Sequence, residues 1–119
     1  IDYLYKMADM LGLSDKIYVV VGSDFGRTPY YNAGNGKDHW NITSMLVSGP
    51  GVAGGRVIGS TDGGFKAKKI DAGTLQPSDG GIKLQPNHVH KALRKLGGLT
   101  GSPVAAPFEL PGEDLPLFT

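Results

Sequence analysis

The sequence predicts an α/β fold, and three linked observations predict it. Apolar residues Ile1, Leu4, Tyr5, Ala8 and Leu11 recur at helical spacing. A short connection through Ser14 and Asp15 follows. It leads to Lys16-Ile17-Tyr18-Val19-Val20-Val21, an unbroken β-branched and aromatic run of the kind that forms a strand covered on both faces. Helix, tight loop and buried strand make half of an α/β unit.

The first helix is expected to span Ile1 to Leu11, because Gly12 stands where a left-handed C-terminal cap belongs. After Val21 the chain turns polar and glycine-rich, from Gly22 through Pro29 and on to Trp40. A second apolar segment, Ile42 to Val47, reads as another strand, and Ser48-Gly49-Pro50-Gly51 interrupts it. Val52-Ala53 and Arg56-Val57-Ile58 flank Gly54-Gly55, a pair that supplies the positive φ angles of a two-residue hairpin turn. Gly59 to Gly81 holds only short polar runs and reads as a surface excursion. Pro86 or Asn87 then opens a second helix with Val89, Ala92, Leu93 and Leu96 in one stripe, and Gly97-Gly98 end it. Ser102 to Thr119 is proline-rich and reads as an extended arm over a surface.

Composition narrows the classes. At 119 residues and 39% hydrophobic content the chain has room for one domain with a modest core. Its 19 glycines and 8 prolines imply long loops. A formal charge of +1 calls for neither nucleic acid nor an anionic membrane as partner. With no cysteine, disulfides, thiolate nucleophiles and finger-type zinc sites are excluded. No apolar run approaches the roughly 20 residues that span a bilayer. The sequence opens on Ile1 in mid-pattern, so it is expected to be a C-terminal fragment of something longer.

Three residue groups carry candidate chemistry. Asp24 lies just past the end of the first strand, between Gly22 and Gly26, where α/β sheets gather ligands. The plain alternative is a turn-capping aspartate. Asp38-His39 follows a flexible Asn-Ala-Gly-Asn-Gly loop. The imidazole suits zinc or manganese, and the carboxylate would orient it or bind directly. A structural histidine packed beside Trp40 would leave the same trace. Arg27 offers a planar fork for a phosphate or sulfate oxyanion, or alternatively a salt bridge to an acidic neighbour such as Asp38. His88 and His90, two residues apart on a helix, point away from each other and make no metal pair. Lys66, Lys68 and Lys69 and the Lys91, Arg94, Lys95 set read as solvated faces. The glycosylation-like Asn41-Ile42-Thr43 sits at the entry to an apolar strand and is set aside.

Three blocks resemble a known family. They are Val19-Val20-Val21-Gly22-Ser23-Asp24-Phe25-Gly26-Arg27-Thr28-Pro29, Gly36-Lys37-Asp38-His39-Trp40 and Gly54-Gly55-Arg56-Val57-Ile58-Gly59-Ser60-Thr61-Asp62. In order and spacing they are similar to the C-terminal part of the sulfatase-like domain of unknown function 1501, from Ile1 to about Leu99. The resemblance implies an alkaline-phosphatase-like α/β sheet with flanking helices, incomplete on its own. On that basis residues 1–101 would be the C-terminal portion of a sulfatase-like domain and residues 102–119 an extended arm.

It further implies a fragment of a metal-dependent phosphoester or sulfoester hydrolase-like protein, inactive by itself and extracytoplasmic, either periplasmic or secreted. Asp24 and His39 match the family's metal-binding aspartate and later histidine and would serve a divalent zinc, manganese or calcium ion. The residue reading adds Asp38 as a ligand or orienting partner and Arg27, which has no assured family counterpart, as the contact to an anionic ester. Phe25 stands where relatives carry a metal-binding histidine. A halved sheet leaves an open edge, so a missing N-terminal segment or another chain is expected to cover it. The competing expectation is a non-catalytic structural or surface-assembly component of the same fold.

Overall fold

The first element, α1, runs from Asp2 to Met10 and stops where the sequence places its cap. Gly12 takes φ +66°, its N–H bonds to the carbonyl of Asp9, and the N–H of Leu13 returns to Ala8. This paired closure satisfies two of the helix's terminal carbonyls. The computed structural model describes all residues, 1–119, and they divide into two compact units, Ile1–Gly54 and Gly55–Thr119. Each mixes short helices with short antiparallel strand pairs, in keeping with an α/β composition.

In the first unit β1 (Val19–Val21) pairs antiparallel with a later strand, Leu46–Ser48, with Val20 opposite Val47. Between them β2 (Gly26–Arg27) and β3 (His39–Trp40) form a second ladder, so Leu46–Ser48 is β4. Tyr5 of α1 donates its hydroxyl hydrogen to Ser48 Oγ at 3.0 Å, and Ala8 is buried. Two expectations are corrected here. The strand predicted over Lys16 to Val21 is only three residues long. It is also exposed, with Val20 at 42% and Val21 at 50%. The reason is its single neighbour: β4 lies along one edge and nothing covers both faces. The strand predicted over Ile42 to Val47 starts later, at Leu46.

The second unit carries most of the buried apolar side chains: Ile70, Leu75, Ala92, Leu115, Leu117 and Phe118. The hairpin expected around Gly54-Gly55 does not form. Gly55 does take φ +71°, but Val57 is 93% exposed and Arg56 reaches the carbonyls of Pro116, Leu117 and Thr119 instead of a strand partner. The polar excursion from Gly59 to Gly81 contains β5 (Lys69–Ile70), which pairs with β6 (Ile82–Lys83). Aspartate turns at Asp62 and Asp71 shape the loops before and after β5.

Helix α2 spans Pro86–Leu96, and Gly98 closes it at φ +69° with the same paired carbonyl bonds as α1. Its N-terminus is held by a reciprocal box, in which His88 Nδ1 accepts the N–H of Gln85 at 3.0 Å. The final residues make a single 3-10 turn, Ala106–Phe108, and then return along α2. Arg94 donates to the carbonyl of Phe108, Asn87 to Pro111 and Lys91 to Gly112, while Lys91 also pairs with Asp114 at 3.0 Å. Lys91 and Arg94 are therefore not a solvated face, because they fasten the arm. No helix is long and apolar enough to cross a membrane.

Candidate functional site

The β2–β3 ladder is the element that gathers the candidate residues. Its register sets Gly26 opposite Trp40 and Arg27 opposite His39. Cross-strand partners project to the same face of a ladder, so the guanidinium and the imidazole share one exposed side. Gly26 lies tight against the backbone just past β3, since a Cβ there would overlap the carbonyl of Ile42. The bend into β2 is fixed by Ser23, whose hydroxyl donates to the carbonyl of Phe25 at 2.9 Å.

Phe25 organises the face. Its ring stacks on His39 with centroids 3.5 Å apart and planes 18° from parallel, and Arg27 lies 5.0 Å from its centroid. Arg27 also donates from Nη1 to the carbonyl of Lys37 at 3.0 Å, in place of the salt bridge to Asp38 that was one expectation for it. The guanidinium is held from two sides and keeps further donors toward solvent.

Asp38 belongs to the loop more than to the face. Its Oδ1 accepts a hydrogen bond from Asn32 Nδ2 at 2.7 Å, and its N–H donates to the hydroxyl of buried Thr28. Asn32 in turn accepts the N–H groups of Gly34 and Gly36, both at 3.0 Å. Asp38 thus orders the connection and orients Asn32, not His39. Asp24 is exposed, one residue before Phe25. Carboxylate and imidazole suit a zinc, manganese or calcium ion by donor chemistry. No group of three or more His, Asp or Glu side chains gathers around one point. Sequence reasoning passed over Asn32 and the stacking role of Phe25. The first was signalled by the Asn-x-Gly turn pattern, the second only by Phe25 standing at a histidine position.

A family model described as a protein of unknown function, DUF1501, matches residues 1–77. The chain belongs to the DUF1501 family. No curated protein and no solved structure gives a match. The matched span of this DUF1501 chain contains β1 through β5 and the whole Arg27–His39 face. It ends before α2, although the resemblance read from the sequence extends to about Leu99.

Proposed function

We propose that this DUF1501 chain is part of a metal-dependent phosphoester or sulfoester hydrolase-like protein with an alkaline-phosphatase-like fold, in which the β2–β3 face holds the anionic ester. The observation that carries the reading is the register that sets Arg27 opposite His39 on one exposed face. Arg27, braced by Phe25 and the Lys37 carbonyl, would present its planar fork to a tetrahedral oxyanion. His39 and Asp24 are the donors left for a divalent ion, and Asp38 fixes the loop that delivers His39. The remaining donors and the nucleophile would come from a preceding segment or another chain. An extracytoplasmic setting belongs to the same proposal.

Metal analysis of the intact protein tests it. Asp24→Ala and His39→Ala are each expected to lower bound zinc, manganese or calcium; unchanged metal content in both sinks the assignment. Arg27→Ala is expected to cut kcat/KM on aryl phosphates or sulfates by about tenfold to a hundredfold, the worth of one charge-assisted hydrogen bond. The second reading, a non-catalytic structural or surface-assembly component, is favoured by Phe25 covering one face of the His39 ring. Silence toward every aryl ester under each added metal supports it.

A further inference from the structure

We propose that the second unit binds a tetrahedral dianion, the phosphate group of a small phosphomonoester, in the cleft between the β5–β6 ladder and the start of α2. In the ladder Lys69 is the direct partner of Lys83, and Ile70 the partner of Ile82. Side chains alternate across a strand, and direct partners share a face. Ile70 is wholly buried, so the two lysines stand together on the opposite, outward face. Like charges set directly opposite destabilise a strand pair. Neither lysine takes part in an ion pair: the three pairs are Lys6 with Asp2, His88 with Glu113 and Lys91 with Asp114.

Both lysines line a cleft of about 380 Å3. Gln85 and Asn87 border it too, but their amides are taken up by the His88 N–H and the Pro111 carbonyl, which leaves the lysines as its cationic groups. Its one carboxylate, Glu113, is engaged from the helix side. The Nε2 of His88 lies 3.3 Å from Glu113 Oε2, and His88 Nδ1 already accepts the Gln85 N–H, so Nε2 carries the proton and donates. Glu113 is thus drawn toward α2, and the lysine pair is left uncompensated. A dianion bridging the two ammonium groups would offset their repulsion, and the cleft lies broadly open to solvent, which leaves room outward for the organic part of a monoester.

Titration calorimetry tests this on the intact chain carrying Arg27→Gln, so that any anion held at the β2–β3 face drops out. The probes are inorganic phosphate and methyl phosphate, with chloride at matched ionic strength as reference. Saturable binding of methyl phosphate is expected, weakened about tenfold or more by Lys69→Gln and by Lys83→Gln. Both variants are expected to melt no lower than their parent in chloride, since each removes a repulsion. Glu113→Gln is expected to tighten binding. Binding of inorganic phosphate alone would overturn the monoester as ligand. Heats no larger than chloride gives, or binding retained in both lysine variants, would overturn the site.

Discussion

A methyl group added at Gly26 has nowhere to go, because the Ile42 carbonyl fills the space. Backbone gives way less readily than a side chain, so Gly26→Ala is expected to cost about 1–3 kcal/mol and to disturb β3. The chain's one tryptophan, Trp40, sits on that strand and pairs edge-on with Tyr30, so near-ultraviolet dichroism and Trp40 fluorescence report the change. Gly22→Ala is the control, since its new methyl meets only the flexible Met45 side chain and should cost far less. At Asp71 the issue is charge. Its carboxylate accepts the Thr74 N–H, the Thr74 hydroxyl and the Gly73 N–H, which hold it below the ordinary aspartate value of 3.8. A depressed folded value means the stabilisation is present above 3.8 and is lost as pH falls through the folded value. Asp62, held down by the N–H groups of Lys66 and Gly64, behaves alike. Asp62→Asn and Asp71→Asn keep an acceptor but cannot titrate. Urea midpoints of the double variant should therefore flatten with pH in the acid range where the parent's fall; parallel slopes would refute this.

Helices and strands of this chain differ in how plainly their sequence announces them. Helix α2 carries local punctuation at both ends, Pro86 at its start and Gly97-Gly98 at its stop, and it forms as that punctuation predicts. Helix α1 closes on Gly12 for the same reason. The valine run of β1 carries no such local instruction: its length and cover depend on which segments pair with it, and one short antiparallel partner leaves it exposed. The β2–β3 site was legible as residue types, Arg27 and His39, whereas their apposition is a matter of register, which the intervening loop conceals. Least legible was the fastening of the arm, because His88 and Glu113 lie 25 positions apart and meet only once α2 exists. That fastening is more than polar. Leu115, Leu117 and Phe118 are buried beside Ala92 and Leu96 of α2. Leu117→Ala is accordingly expected to cost about 2–5 kcal/mol, a sizeable share of the ~5–15 kcal/mol that holds a typical domain. Denaturant unfolding measures it, and a loss under half a kilocalorie would mean the arm is not seated on α2 in solution.

Across the whole chain, buried apolar surface is unevenly shared. Ala8 is the single buried hydrophobic residue of residues 1–54, where Tyr3, Met10, Leu11, Val21 and Tyr31 are all at least half exposed. Residues 55–119 hold the other six. Local stability follows buried contact more than hydrogen-bond count, so amide exchange should separate the two spans. The N–H groups of Asp71, Leu75 and Ser78, bonded to Gln76, Asp71 and Lys69, should exchange about tenfold or more slowly than those of Val19–Val21. The exposed apolar surface of the first span gives the comparison a second use. If Val19–Val21 prove as protected as Asp71 and Leu75, something covers β1, and only two sources exist in a purified sample, a second copy or further residues of the same polypeptide. Dilution separates them, because protection by a second copy falls with concentration and protection by the same chain does not. Rapid exchange at β1 at every concentration would leave its open edge available to the partner segment that the proposed hydrolase reading calls for.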